Sequence, residues 1–268
     1  MPASPLLVRP SPPDADGRIH AVTPASAGWT YVGFEVYDLA PGQALRRHTG
    51  DQEACIVVLT GRVMARAGET DFGPIGGRAS VFEGPGWSLY VPARSAWEVT
   101  AEGPAEVAVC LAPAKGTLPA RVIPPTEVGE ETRGVGANTR HVRNILPDAS
   151  PHAESLLVVE VVTPAGHWSS YPPHKHDQDN LPHESQLEET YYHRLNPPQG
   201  YGMQRVYTDD RSLDESVSFA DRDVVLVPKG YHPVGAPHGY DLFYLNVMAG
   251  PTRIWRFHND PAHAWMLG

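Results

Sequence analysis

The chain has 268 residues, of which 41% are hydrophobic and 19% are charged, a balance typical of a globular protein and not of a disordered one. A formal net charge of −10, with no run of Lys or Arg, argues against a nucleic-acid-binding surface. The two cysteines, Cys55 and Cys110, lie in apolar runs, which excludes a disulfide framework and indicates buried thiols.

Residues 1–20 are rich in proline and polar side chains, which predicts an irregular lead-in. This segment lacks the apolar core of a signal peptide. No apolar run approaches the length of about 20 residues that spans a bilayer. We therefore expect a cytoplasmic protein with no membrane partner.

Short apolar runs then recur between Gly and Pro turn signals, and they predict strands in an N-terminal barrel over residues 21–125. Helical periodicity is almost absent from this half. The runs are YVGFEVYDL (31–39), EACIVVLTG (53–61), SLYVP (88–92) and AEVAVCLAP (105–113).

Residues 126–150 contain many turn residues and few apolar runs, so the sequence predicts a linker. The polar group Arg140, His141, Arg143 and Asn144 fits a solvated linker that packs on a neighbour.

Residues 151–268 repeat the pattern of apolar runs and turns seen in the first half, which predicts a C-terminal barrel. SLLVVEVVTP, LEETYYHRL, DVVLVPKG and DLFYLNVMAG follow one another in the same order as their counterparts. This order indicates an internal duplication. Two strand-rich units of this size favour an all-β fold of two small barrels.

The densest polar cluster lies in residues 171–195. His174 and His176 are two residues apart, so on a strand they point to the same face. Glu189 lies on the next predicted strand and can close a third side of a site. Imidazole and carboxylate ligands suit one divalent Zn, Mn or Fe ion and leave coordination positions open. The fourth ligand is either His232, after a Pro-Lys-Gly turn, or His238 in a Gly/Pro loop.

An H-x-H pair, a later Glu, and a Pro-x-Gly turn followed by His together resemble the two motifs of the cupin superfamily. The sequence departs from that pattern because Glu189 lies thirteen residues after His176. We interpret DQDNLPHES as a loop inserted between two strands, which leaves Asp177, Asp179 and Glu184 as rival ligands.

Longer strings, including PPHKHD, LEETYYHRLNPPQGYGMQRVYTDD, VLVPKGYHPVGAPHGYD and RIWRFHNDPAHAWM, resemble the 5-deoxy-glucuronate isomerases of myo-inositol catabolism. The resemblance is strongest over residues 171–265. It implies a bicupin, that is, two tandem double-stranded β-helix (jelly-roll) barrels. It also implies a metal-dependent aldose–ketose isomerase that converts 5-deoxy-glucuronate to 5-dehydro-2-deoxy-gluconate, with metal ligands His174, His176, Glu189 and His232.

The first half offers only His48 and Glu53 at positions comparable to the motif, and it lacks H-x-H. One His and one Glu make a poor metal site, so we expect the N-terminal barrel to be metal-free and to support its C-terminal counterpart.

An isomerase of this kind needs a base near the transferring proton. The candidate bases are Glu184, Asp177, His193 and His238, of which Glu184 and His238 are preferred. A uronic acid substrate also needs a cation for its carboxylate, for which Arg205, Lys229 and Arg253 are candidates.

Three other functions stay open on the sequence. They are a related 5-keto-4-deoxyuronate isomerase of pectin breakdown, an Fe(II) cupin dioxygenase and a non-catalytic sugar-binding bicupin. Barrel edge strands often pair between subunits, so we also expect a homo-oligomer.

Overall fold

The computed structural model describes residues 4–267 and contains two compact units. The N-terminal unit comprises residues 10–129 and 144–158. The C-terminal unit comprises residues 4–9, 130–143 and 159–267 of the described chain. Helices are few and short in both. Within residues 4–267, none has the length and apolar character needed to cross a bilayer.

The first half of the chain alternates strands with tight turns. In chain order its elements are β1 (Leu7–Val8), β2 (Arg18–Val22), α1 (Pro24–Ala27), β3 (Gly33–Leu39), β4 (Ala44–His48), β5 (Gln52–Thr60), β6 (Arg62–Ala67), β7 (Thr70–Gly76), a 3₁₀ turn (Val81–Glu83), β8 (Ser88–Val91), β9 (Ala96–Ala101), β10 (Ala105–Pro113) and β11 (Arg121–Ile123).

The second half continues the same pattern after two 3₁₀ turns (Pro125–Glu127 and Gly136–Asn138). Its strands are β12 (Gly129–Arg133), β13 (Arg140–Leu146), β14 (Leu157–Thr163), β15 (Trp168–Ser169), β16 (His174–Lys175), β17 (Asp177–Asn180), β18 (Glu184–Gln186), β19 (Glu188–Asn196), β20 (Tyr201–Tyr207), β21 (Asp214–Ala220), β22 (Val224–Val227), β23 (Val234–Gly235), β24 (Asp241–Ala249) and β25 (His258–Asn259), before a 3₁₀ segment (Pro261–Leu267).

Two antiparallel sheets form the N-terminal unit, in the strand orders β11-β8-β5-β10-β3-β2 and β4-β9-β6-β7. Strand β6 shows why they pack together: Val63, Ala65 and Ala67 are buried while the alternate residues are exposed. These residues join side chains from the larger sheet, such as Ile56 and Val109, in a single apolar core. The two sheets therefore enclose one core, as a small β-barrel does.

The C-terminal unit is built on a sheet with the order β1-β22-β19-β24-β14-β13-β12 and a second sheet with the order β15-β23-β20-β21. Two small ribbons, β16-β25 and β17-β18, are added to them. The order β8-β5-β10-β3 in the first unit recurs as β22-β19-β24-β14 in the second, and β9-β6-β7 recurs as β23-β20-β21. The predicted all-β duplication is confirmed, because each of the four paired sequence segments occupies the same place in its own sheet.

Two segments predicted to be irregular contribute strands instead. Leu7 and Val8 of the predicted lead-in pair with Val225 and Val224. The predicted linker contains β12 and β13, which join the seven-stranded sheet. Within β13 the run RHVRNIL has the burial pattern ieBBiBB. Buried Arg143 lies 3.6 Å from the carboxylate of Glu160, an ion pair that compensates its charge inside a strand.

The sheet registers identify which residues of the two units correspond. Glu189 lies opposite Val227, the residue before a proline at the end of β22. In the first unit, Ala54 lies opposite Val91, which also precedes a proline. Ala54, and not Glu53, is therefore the counterpart of Glu189, so the expected match at Glu53 is off by one residue and one sheet face. His48 is exposed and accepts a hydrogen bond from the backbone of Gly50.

Candidate metal centre

Three histidine side chains converge in the C-terminal unit. His174, His176 and His232 each offer one ring nitrogen, and these nitrogens all lie within 4.8 Å of one another. All three residues are buried, with exposed fractions of 8%, 2% and 0%. Buried imidazoles rarely face one another without a shared partner, and a group of this kind could hold a metal ion.

The carboxylate of Glu189 is the fourth group at this point. Its Oε2 atom lies 3.1 Å from Nε2 of His176 and 3.2 Å from Nε2 of His232. His232 Nε2 has no hydrogen-bond partner of suitable geometry among residues 4–267, although it is buried. The chemistry of three imidazoles and one carboxylate fits a divalent ion of the Zn, Mn or Fe type.

Backbone carbonyls orient two of the rings. His176 Nδ1 lies 3.1 Å from the carbonyl oxygen of Leu187, and His232 Nδ1 lies 2.8 Å from that of Gly230. A carbonyl oxygen can only accept, so each Nδ1 carries the proton. Nε2 is then the ring nitrogen that can bind a metal once it is deprotonated, and in both residues it lies next to Oε2 of Glu189.

Burial controls the ionisation of the rings. It lowers the pKa of His174 well below its ordinary value, and the neighbouring His232, His176, Arg140 and Arg133 lower it further. Burial likewise lowers the pKa of His232 to about 4. At His176 burial acts in the same direction, but the hydrogen bond to Glu189, the charge of Glu189 and the backbone hydrogen bonds together outweigh it and raise the pKa. Neutral imidazole is the form that binds metal.

Alternation along the chain places His174 and His176 on one side and Lys175 on the other. The Lys175 Nζ atom is 2.9 Å from a carboxylate oxygen of Asp177 and 2.9 Å from one of Asp209. The Lys175 side chain is only 4% exposed. This ion-pair group secures the backbone between the two histidines from behind.

The inserted segment predicted between the motif strands is the β17–β18 hairpin. The backbone amide of Leu187 donates to the carbonyl of His176 and closes the hairpin base at 2.9 Å. None of its acidic residues joins the histidine group. Asp177 accepts from the amide of Gly230 at 2.9 Å, Asp179 is exposed, and Glu184 accepts from the amides of Asp177 and Gln178 at 2.8 and 3.1 Å.

A cavity of about 440 Å³ adjoins the centre, within the range of small-molecule sites. Its wall includes Arg133, Arg140, Tyr171, His174 and Phe257. A smaller inner cavity shares Arg133, Arg140 and His174 with it. Glu189, Tyr191, Tyr244 and Asn246 also line this inner cavity.

The C-terminal segment forms one side of the outer cavity. Strand β25 pairs with β16, so that Asn259 lies opposite His174. The Phe257 ring lies 4.6 Å from the His174 ring, centroid to centroid. Met266 and Leu267 complete the wall. The C-terminal segment therefore borders the candidate site.

The other predicted functional residues lie apart from these cavities. Arg205 forms a bidentate ion pair with Asp214, at 2.7 Å for both contacts, on the exposed side of β20. Lys229 and His238 are exposed in turns and line neither cavity. Neither does Glu184, whose carboxylate is directed to the hairpin backbone.

His193, a further candidate base, is packed away in the barrel interior. Its ring stacks on Phe219 at 3.6 Å, and its Nε2 lies 3.2 Å from the side-chain oxygen of Gln204. Burial lowers the pKa of His193 to about 3. The residue is therefore a neutral core histidine over the physiological pH range.

Arg133 and Arg140 are the cavity residues that the sequence reading missed. Arg140 lies in the predicted linker, yet it begins β13 and reaches both cavities. The sequence signal for a strand was weak, because Val142, Ile145 and Leu146 are spaced i, i+3 and i+4, a helical pattern and not the alternation of a strand.

Comparisons with known proteins agree on one family. The model of the KduI/IolB family matches residues 6–266. The chain is 61% identical over 263 residues to a 5-deoxy-glucuronate isomerase of Geobacillus kaustophilus, covering 98% of this chain and 95% of the relative. It is 55% identical over 250 residues to the 5-deoxy-glucuronate isomerase of Bacillus subtilis, covering 93% and 92%.

Solved structures support the same fold. An IolB-like protein from Salmonella typhimurium superposes with a TM-score of 0.95 at 52% identity, covering 98% of this chain and 99% of that chain. An oxalate decarboxylase variant from Bacillus subtilis gives a TM-score of 0.63 at 13% identity, covering 89% and 74%. The second likeness concerns the fold alone. It agrees with the bicupin architecture expected from the sequence.

Proposed function

The chain belongs to the KduI/IolB family, and on that basis we propose that it is a 5-deoxy-glucuronate isomerase. It converts 5-deoxy-D-glucuronate to 5-dehydro-2-deoxy-D-gluconate, an aldose–ketose isomerisation in myo-inositol degradation. The observation that carries the proposal is identity of 61% to a 5-deoxy-glucuronate isomerase over 98% of the chain. The histidine group beside a cavity of about 440 Å³ supports it from the geometry.

We further propose that His174, His176, His232 and Glu189 hold one Zn, Mn or Fe ion in the C-terminal barrel. A divalent ion held there supplies Lewis-acid stabilisation of the negative charge that develops as a proton moves between adjacent carbons. The donor set leaves coordination positions open for substrate oxygens.

The inner cavity, at about 20 Å³, holds no more than about one water, so we place the sugar in the outer cavity with its reacting end toward the residues of the inner one. Tyr191 and Tyr244 bring hydroxyl groups to the inner cavity beside Glu189. Burial raises the pKa of both tyrosines, that of Tyr191 well above its ordinary value. They therefore stay protonated at neutral pH and can donate hydrogen bonds to substrate oxygens. Tyr191 is held in place by Ser170, whose hydroxyl lies 2.9 Å from the tyrosine oxygen.

The proposal is tested by metal analysis and isomerase assay of the wild type and the His174→Ala/His176→Ala double mutant. We expect about one metal ion per wild-type chain, and loss of both metal and turnover in a mutant that keeps its β-type circular dichroism. The control is a double mutant of two exposed histidines, His141→Ala/His183→Ala, which should retain both.

A substrate panel separates the alternatives. It contains 5-deoxy-glucuronate and 5-keto-4-deoxyuronate, each assayed with and without O₂. Preference for the second sugar would replace the proposed substrate, and O₂-dependent turnover with ferrous iron would indicate a dioxygenase. A wild-type protein that binds no Zn, Mn or Fe(II), or that binds sugar without converting it, would contradict the proposal.

A further inference from the structure

Arg140 brings a positive charge into both cavities, and no carboxylate is in direct contact with it. Its Nη1 atom donates to two backbone carbonyls, that of Asn138 at 3.1 Å and that of Tyr171 at 3.0 Å. Within residues 4–267 no Asp or Glu side chain forms an ion pair with it, and Glu131 acts on it only through its charge from beyond ion-pair distance. Burial lowers the pKa of Arg140, which shows that its charged form is poorly solvated where it lies.

Arg143, on the same strand as Arg140, is a buried arginine with a structural role. It has two carboxylates in reach, Glu160 at 3.6 Å and Glu130 at 3.8 Å. Charges withdrawn from water are normally compensated in this way. The contrast between the two arginines indicates that the counter-charge of Arg140 arrives with a ligand.

The surroundings of Arg140 favour an anion. Arg133 lines the same two cavities, and its guanidinium lies over the Trp255 ring at 5.1 Å from the centroid. Arg133 already pairs with Glu131 at 2.6 Å, which leaves Arg140 as the stronger attractor. Arg205, which the sequence predicts as a candidate cation for the substrate carboxylate, already forms an ion pair with Asp214.

We propose that Arg140 binds the carboxylate of the substrate and so selects acidic sugars over neutral ones. This inference rests on the proposed isomerase function. In 5-deoxy-glucuronate the carboxylate and the reacting aldehyde occupy opposite ends of the carbon chain. Arg140 and His174 line both cavities, and Glu189 lines the inner one, so a single sugar can reach the guanidinium and the histidine group together. A planar guanidinium suits a carboxylate because it can donate two parallel hydrogen bonds.

The test compares the wild type, Arg140→Met and Arg140→Lys on 5-deoxy-glucuronate and on 5-deoxy-glucose, which lacks the carboxylate. For Arg140→Met we expect kcat/KM on the uronate to fall at least about 30-fold, mainly through KM, with Arg140→Lys intermediate. On 5-deoxy-glucose the change should stay within about threefold, since no charged contact is lost. Arg66→Met, an exposed change in the N-terminal unit, is the control.

Two further measurements distinguish anion binding from a merely structural role. The first is the Kd, by calorimetry, of the aldonate made by reducing C1 of 5-deoxy-glucuronate, which should rise at least about 30-fold in Arg140→Met while metal content is unchanged. The second is rescue of Arg140→Ala by added guanidinium ion, which we expect only with the uronate.

Equal losses on both sugars, or an unchanged Kd for the aldonate, would overturn the assignment of Arg140. Absence of turnover of the uronate by the wild type would instead refute the proposed function. In that case the Kd values still decide whether Arg140 binds a carboxylate.

Discussion

At the scale of single residues, Lys175 forms ion pairs that fix the backbone between the candidate ligands His174 and His176, although its own side chain points away from them. Its ammonium group contacts Asp177 and Asp209 at 2.9 Å each and lies 3.9 Å from Glu184. The lysine thereby connects the β17–β18 hairpin to Asp209, which follows β20, from a position between His174 and His176.

Lys175→Met should leave these carboxylates without their cation and lower the free energy of unfolding by about 3–5 kcal/mol at neutral pH. The contact with Lys175 is the main reason that the pKa of Asp209 lies below its ordinary 3.8. A lowered carboxyl pKa stabilises the fold above pH 3.8 and loses this contribution as the pH falls. Urea unfolding at several pH values should therefore show the largest difference near neutrality and a smaller one below about pH 4.

The matched variant is Asp209→Asn, which removes only the more exposed partner and should cost much less. A Lys175→Met protein as stable as the wild type at pH 7 would show that the ion-pair group contributes nothing.

At the scale of elements, the C-terminal segment borders the cavity through a few specific contacts. The amide of Asp260 donates to the carbonyl of Pro173 at 2.8 Å, next to His174. The carboxylate of Asp260, only 6% exposed, accepts from the hydroxyl of Tyr207 at 2.8 Å. One buried acid therefore links the segment to both β16 and β20.

Tyr207→Phe should release this segment locally, because the buried Asp260 carboxylate loses a donor at a cost of about 1–3 kcal/mol. We expect faster hydrogen exchange of amides in residues 255–267 and a higher KM for substrate, with little change in exchange elsewhere. Tyr231→Phe, which removes a comparable hydrogen bond to the exposed Asp209, is the control. Unchanged exchange in the segment would show that other contacts hold it.

At the scale of the whole molecule, the two units use a buried glutamate for different purposes. Glu189 in the C-terminal unit contacts His176 and His232, two of the three grouped histidines. Glu53 in the N-terminal unit is fully buried and accepts from the amides of Glu154, Ser155 and Leu156 at 2.8, 2.7 and 2.6 Å. The Tyr90 hydroxyl donates a fourth hydrogen bond at 2.7 Å. The duplicated fold thus has a candidate metal centre in one unit and a backbone anchor in the other.

Glu53→Gln should weaken this anchor, because charge-assisted hydrogen bonds become neutral ones and the new amide protons face other donors. We expect the free energy of unfolding to fall by about 2–4 kcal/mol, while the metal content per folded molecule stays unchanged. Urea unfolding and metal analysis of the same preparation measure the two quantities. Loss of metal from a fully folded Glu53→Gln protein would contradict a purely structural role for Glu53.

Local sequence was sufficient to predict the strands, the duplication and the placement of the H-x-H pair on one face. Apolar runs between turn residues have a short-range cause, since alternate side chains of a strand face opposite sides whatever the rest of the chain does. The same alternation places His174 and His176 together and turns Lys175 away. The long motif strings also indicated the family that the comparisons identify.

Where two residues of the same type were candidates for one role, only the tertiary structure shows which of them lies at the site. His232 and His238 are both histidines near one turn, but only His232 is buried facing Glu189, while His238 is exposed. Arg205 and Arg140 are both candidates for a carboxylate, but pairing between β20 and β21 gives Arg205 a partner in Asp214. Such choices depend on contacts between residues far apart in the chain. A side chain's chemical type does not reveal which partner the fold places beside it.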